Sequence, residues 1–416
     1  MTLIVLAVLL LAVLGVPLFA IFAFATLIGY LRIADLPLAV FVGEIHKLTE
    51  SSALTALPLF TFAGFLLAES RSPERMVRLT RALLGWLPGG LAIVTLIACA
   101  IFTAFTGASG VTIIALGGLL LPALQKDHYP ERFSYGLLTS SGSLGLLFPP
   151  SLPVILYGLV SQVPVNDLYL AGVLPGVFLI LLLALFSGIV MRRAPLYPFQ
   201  LREALQALWE IRYELPLPFL VLGGIYGGFF TISEASAVMA MYVFVVEVFL
   251  YRDIPLKKLP AITAESLGLL GAIILILGSA LGFTNFLVDQ QIPMRIFEWF
   301  RGFIYNRLEF LLILNIFVLV FGALLDVFSA MIVLPPLILP IAREYGVDPV
   351  HLGIVFLTNL EIGYFMPPMG INLFLASFRF RRSILELAVA ILPFFAIYLA
   401  GLLFITYWDR LSLWWR

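Results

Sequence analysis

The chain reads SGSLGLLFPP over residues 141–150 and NLEIGYFMPP over residues 359–368, and these two stretches decide the architecture. Ser141, Gly145, Pro149 and Pro150 fall on Asn359, Gly363, Pro367 and Pro368 at a constant offset of 218 residues. The same ungapped offset carries Leu121-Pro122 onto Leu339-Pro340. Shared hydrophobicity alone does not keep such landmarks in register, so the sequence predicts a duplicated unit.

Each stretch interrupts an apolar segment too short to cross a bilayer. Residues 133–147 reach only about 22 Å as helix, against a hydrocarbon core of roughly 30 Å. The proline pair then removes two backbone donors and disfavours helix at the residue before it. Residues 151–162 resume as a second short arm. The expectation is a re-entrant hairpin with its tip at 145–150, repeated over residues 350–378 with its tip at 363–368. Non-helical backbone at membrane depth must be buried or line a wet cavity, so two facing tips predict a polar site near the midplane.

A second break precedes each hairpin. Phe105-Thr106-Gly107-Ala108-Ser109-Gly110 interrupts one apolar run, and Gly322 to Ser329, with Asp326 between them, interrupts the other. Asp326 aligns with Ala108 at the same offset. A discontinuous helix exposes carbonyls that can replace the water shell of a cation. An ionisable residue inside a membrane costs roughly 2.5–3.5 kcal/mol on insertion scales, which marks Asp326 as functional.

The composition agrees with a membrane solvent. Of 416 residues, 62% are hydrophobic and 12% charged, where soluble domains run about 45–50% apolar and about 25% charged. The formal net charge of zero gives no reason to expect nucleic-acid binding. The single cysteine, Cys99, excludes an internal disulfide framework and reads as a buried small hydrophobe. Candidate spans are 2–31, 53–68, 90–105, 168–191, 215–230, 235–250, 265–288, 308–325 and 384–408. Residues 2–31 lack a basic start and exceed the roughly 7–15 apolar residues of a signal peptide, so they read as a retained span bent at Gly15-Val16-Pro17.

Two amphipathic stretches read as helices along the membrane surface. In 73–86, Met76, Leu79 and Leu83 share a face; in 199–213, Leu201, Ala204, Leu205, Leu208 and Ile211 form a stripe against lipid or protein. Basic residues occur in nearly every charged cluster, so the positive-inside rule gives no orientation. The resulting fold class is an all-α polytopic membrane protein with two structural repeats, each carrying a re-entrant helical hairpin and a discontinuous helix. Residues 1–195 form the first repeat, 196–214 a connecting amphipathic arm, and 215–416 the second repeat. Glu361 reads either as an ion partner or as a capping group, and Glu234 as a helix-initiating residue after Thr231. His46, His128 and His351 share no metal spacing and read as interfacial.

FTAFTGASGVTIIALGGLLLPAL, SGSLGLLFPPSLPVILYG, DLYLAGVLPG, GALLDVFSAMIVLPPLILP and DPVHLGIVFLTNLEIGYFMPPMGINLFLAS together resemble the large membrane subunit of tripartite ATP-independent periplasmic (TRAP) transporters. The resemblance covers essentially the whole chain and is densest at 101–177 and 320–377. It implies inverted repeats, an elevator-type scaffold plus transport domain, and a multi-pass importer in the bacterial inner membrane. It further implies Na⁺ as coupling ion, no organic cofactor, a small membrane subunit, and a periplasmic substrate-binding protein that delivers an organic acid. Carried over by motif, one sodium site involves Thr106, Gly107, Ser109, Gly145 and Pro149. The other involves Gly322, Asp326, Gly363 and Met366. Ser140, Ser141, Thr358, Asn359 and Asn372 are placed to meet substrate. The chain departs from the family at Ala108-Ser109, where two serines are common, and at Met366, where threonine is common. The competing classes are a carrier without a binding protein, a membrane-embedded enzyme and a channel. No nucleophile–base pair, HExxH or GxxxxGK[ST] motif supports an enzyme or an ATP-driven pump.

Overall fold

Long apolar runs in lipid must satisfy every backbone group internally, and helix is the way a single segment does so. The computed structural model describes residues 11, 16–31, 52–192, 198–291, 294, 295, 298, 304–367 and 370–416. Gly15, the whole 32–50 cluster with His46, Pro368 and Met369 lie outside the described residues. The helices are α1 (Leu18–Gly29), α2 (Ser52–Glu69), α3 (Ser72–Leu84), α4 (Gly90–Thr106), α5 (Ser109–Lys126) and α6 (Glu131–Ser141). There follow α7 (Leu152–Ser161), α8 (Val165–Val190), α9 (Leu201–Glu210), α10 (Pro216–Tyr226), α11 (Ile232–Val245) and α12 (Leu259–Asp289). The chain ends with α13 (Arg307–Leu324), α14 (Val327–Glu344), α15 (Pro349–Gly363), α16 (Ile371–Phe380) and α17 (Ile384–Tyr407). Among the described residues, seven helices are long and apolar enough to span a membrane, or eight with one bent pair counted as a span.

Helix boundaries keep the offset of the sequence landmarks. Both α5 and α14 are 18 residues long and start 218 positions apart. The starts of α4, α6, α7 and α8 fall within a residue of those of α13, α15, α16 and α17 at that offset. The packing is matched as well. Helix α5 lies on α16 as α14 lies on α7, and α8 lies on α15 as α17 lies on α6. On the outer layer, α1 packs on α12 as α11 packs on α2. Between the halves, the Ser143 hydroxyl donates to the Glu361 carbonyl at 3.1 Å, joining residues 218 apart.

In the first half the two kinds of break are exchanged relative to the sequence reading. Segments 131–147 and 152–161 are bent by 46°, so the chain continues across the proline pair instead of returning to its own side. The Gly107-Ala108 break does turn back: Thr103 Oγ1 lies 2.6 Å from Thr112 Oγ1, where a continuous helix would separate them by about 13.5 Å. Gly107 makes this turn with φ +66, a left-handed conformation that glycine adopts without strain. The hairpin tip of the first half is therefore 106–109, and 142–151 is the discontinuous part of a span. Helices α5 and α14 were also absent from the predicted spans, because Pro122, Pro335, Pro336 and Pro340 sit inside them.

Both surface helices form. Of the expected stripe on α9, Ala204 and Ile211 are buried together with Ala207, while Leu201 and Leu205 are exposed beside Trp209. Small residues allow the close approach to α3, and the leucines are left to face the lipid. The base of α3 is tied down by charge. Arg75 donates to Glu214 at 2.5 Å, to Asp253 at 2.6 Å and to Glu247 at 3.0 Å, with its guanidinium 3.9 Å from the Tyr251 ring centroid. Burial lifts the Glu214 carboxyl above its ordinary range, while Arg75 and the Ser72 hydroxyl pull the other way. Arg75→Ala is expected to lower stability by about 2–3 kcal/mol, because three carboxylates lose their cation; the side chain's solvent-facing edge keeps the cost below that of a fully enclosed pair. Thermal denaturation of the detergent-solubilised protein checks this.

Candidate functional site

Helix termini converge where the breaks meet. Asp326 is the N-cap of α14: its Oδ1 accepts from the Phe328 and Ser329 amides at 3.0 Å each, and its Oδ2 accepts from the Ser329 hydroxyl. The N-terminal amides of α14, orphaned by helix geometry, hold the carboxylate in place. Ser109 opens α5, the counterpart helix, and its hydroxyl donates to Asn372 Oδ1 at 2.8 Å. Ser109 and Asp326 line one cavity of about 500 Å³ together with Ala108, Gly110, Tyr364 and Ile371. Its far wall is one face of α12, formed by Glu265, Leu269, Ala272, Ile273 and Ile276. Tyr364 closes a corner, its hydroxyl accepting from the Val327 amide at 3.2 Å.

The other sodium candidates fill structural positions around this cavity. Thr106 donates to the Phe102 carbonyl at 3.0 Å, and Gly107 is packed against Leu152. Gly145 lies against Ala104, and Gly363 lies against Gly322, so each half repeats the same tight contact at matched positions. Pro149 is half-buried, and the Met366 carbonyl accepts from the Gly370 amide at 3.0 Å. None of Gly145, Pro149, Gly322, Gly363 or Met366 lines the cavity.

Among the substrate candidates, Asn372 alone touches a cavity-lining polar group, and its amide nitrogen has no partner among the described residues. Ser140 and Ser141 bond back to the Leu137 and Leu138 carbonyls at 3.2 and 3.4 Å, and Thr358 bonds to Ile354 at 2.8 Å. Their hydroxyls are satisfied within their own helices, the usual fate of Ser and Thr inside a helix. Asn359 donates to Asn315 Oδ1 and to the Val355 carbonyl at 2.8 Å each, joining α15 to α13.

Sequence reading missed Tyr364 and Glu265, and left Glu361 between two roles. Glu361 is fully buried, and among the described residues neither carboxylate oxygen has a hydrogen-bond partner within normal geometry that would cap or pair it. Glu234 does start α11, in a reciprocal capping box with Thr231. His128 is an exposed turn residue. His351, expected at an interface, is buried, with its ring nitrogens at 2.6 Å from the Ser412 hydroxyl and 3.1 Å from the Thr406 carbonyl.

Breaks in spanning helices that gather polar groups around a cavity define a membrane transporter. The solved YdaH transporter of Alcanivorax borkumensis shares the fold, with a TM-score of 0.64 over 90% of this chain and 87% of that one, at 14% identity. Residues 3–411 match the family described as the tripartite ATP-independent periplasmic transporter, DctM component. The chain belongs to that family and is a transporter permease, not an enzyme. It is 34% identical to the C4-dicarboxylate TRAP transporter large permease protein DctM of Rhodobacter capsulatus, over 88% of this chain and 87% of that protein. It is 35% identical to its namesake in Pseudomonas aeruginosa, over 89% of this chain and 87% of that one. The isethionate TRAP transporter permease protein DctMQ of Oleidesulfovibrio alaskensis is 32% identical over 95% of this chain, which spans 63% of that protein.

Proposed function

We propose that this permease imports a small organic acid across the bacterial inner membrane, driven by a Na⁺ gradient and supplied by a periplasmic binding protein. The observation that carries the reading is the cavity in which Ser109 and Asp326, from the two halves, face one wall of α12. Na⁺ favours oxygen ligands. Asp326 Oδ2, the Ser109 hydroxyl and the carbonyls at the end of α4 offer a set of that chemistry, with the carboxylate supplying the balancing charge. Relatives named for C4-dicarboxylates and isethionate support an organic-acid cargo. Membership of a family described as a tripartite transporter supports a small membrane partner beside the binding protein.

The matched helices and packings, with the Ser143–Glu361 contact between equivalent positions, support two inverted repeats about a pseudo-twofold axis. Helices α4–α8 and α13–α17 then form the core that carries the site, and α1, α2, α11 and α12 the scaffold along which it moves. Uptake in proteoliposomes with co-purified partners and the cognate binding protein tests the coupling. An inward Na⁺ gradient without a pH gradient should drive accumulation, and its dissipation should abolish it. Accumulation driven equally by a proton gradient in Na⁺-free buffer would replace Na⁺ as the coupling ion.

A further inference from the structure

The wall that α12 presents to the cavity is apolar except at one position. Leu269, Ala272, Ile273 and Ile276 continue the face on which Glu265 stands. Glu265 is exposed and makes no hydrogen bond or ion pair among the described residues. The cavity's other charged group, Asp326, is also a carboxylate, and three donors already engage it. Among the described residues, no lysine, arginine or histidine lines the cavity. Behind Ser109, fully buried and outside the cavity lining, Asn372 Nδ2 has no partner among the described residues, and its own oxygen is occupied. The cavity thus has Ser109 and the capped Asp326, at the starts of α5 and α14, on one side and an unpaired acceptor on α12 on the other.

We propose that Glu265 is a specificity-determining residue that selects substrates carrying a cationic nitrogen as well as a carboxylate. This rests on the transport reading above and names its substrate class. The substrate carboxylate turns toward Ser109, where bound Na⁺ would neutralise it, and the cationic nitrogen turns toward Glu265. A dicarboxylate in the same place brings its second carboxylate toward an uncompensated like charge, and repulsion across a low-dielectric cavity is strong. The carbon skeleton rests on the apolar stripe of α12. Discrimination arises as much from rejecting the dianion as from holding the zwitterion.

Ligand-induced thermal stabilisation of the permease with its co-purified membrane partner in nanodiscs tests this, at saturating Na⁺ and without the binding protein. Glycine betaine serves as the zwitterionic probe and succinate as the dianionic one. Wild type should half-saturate with glycine betaine at a concentration at least about tenfold below that for succinate, and Glu265→Gln should shrink that ratio by about tenfold. Glu265 is exposed and unpaired, so the substitution leaves the fold intact; Glu265→Asp should keep most of the preference. Equal or better stabilisation by succinate in wild type overturns the proposal, as does a ratio unmoved by Glu265→Gln or a lack of response to either probe. Responses that are indifferent to Na⁺ would instead count against the coupling reading, whichever probe is preferred.

Discussion

Gly363→Ala should leave little folded permease, with at least about 3 kcal/mol of stability lost. A methyl carbon on Gly363 would lie 2.5 Å from the carbonyl carbon of Gly322 and 2.7 Å from its oxygen. Those atoms are backbone, so no side chain can rotate away; α13 and α15 must separate. The counterpart in the first half, Gly145→Ala, would put its methyl 2.5 Å from the Ala104 nitrogen and should fail for the same reason. Gly223→Ala is the control, since nothing lies within 4 Å of its added carbon. Fluorescence-detected size exclusion with a heating series checks all three. A Gly363→Ala protein as stable as wild type would mean that the two breaks do not hold this contact.

Asp326→Asn should fold normally and lose function. Asparagine keeps an oxygen to accept the Phe328 and Ser329 amides, so the cap of α14 survives. What disappears is the negative charge at the cavity wall. The Na⁺ concentration for half-maximal uptake should rise by at least about tenfold, equivalent to about 1.4 kcal/mol of ion binding. Thermal stability should fall by less than about 1 kcal/mol, since the capping bonds remain. Uptake with unchanged Na⁺ dependence would confine Asp326 to the capping role it already fills.

The placing of the breaks was legible because prolines and glycines dictate where a helix must stop. The direction taken after each break was not, because that depends on tertiary contact. Thr103 against Thr112 and Gly145 against Ala104 decide it, and neither pairing leaves a local signature. Helices α5 and α14 were hidden by internal prolines, which neighbouring helices in a membrane tolerate. Serine and threonine positions were the least reliable guide to the site. Ser140, Ser141 and Thr358 lie next to the breaks in sequence, yet spend their hydroxyls on their own helices. Asp326 was found because an ionisable residue within an apolar run is costly, and Ser109 because it lies in the break that aligns with it. Glu265 was missed because it stood at the edge of a predicted span, and its significance depends on what α12 faces.

Movement of the two-break core against α12 is the most exposed part of the account, and the chain is well suited to testing it. Cys99 is its only cysteine and is buried, so a Cys99→Ser background can carry an engineered pair. Cysteines at Ala272 on α12 and Leu375 on α16 would face the same cavity from opposite sides. Joined by a short reducible cross-linker, they should halt Na⁺-driven uptake in proportion to the fraction linked, and reduction should restore it. Full turnover in completely cross-linked protein would show that the core does not slide past α12.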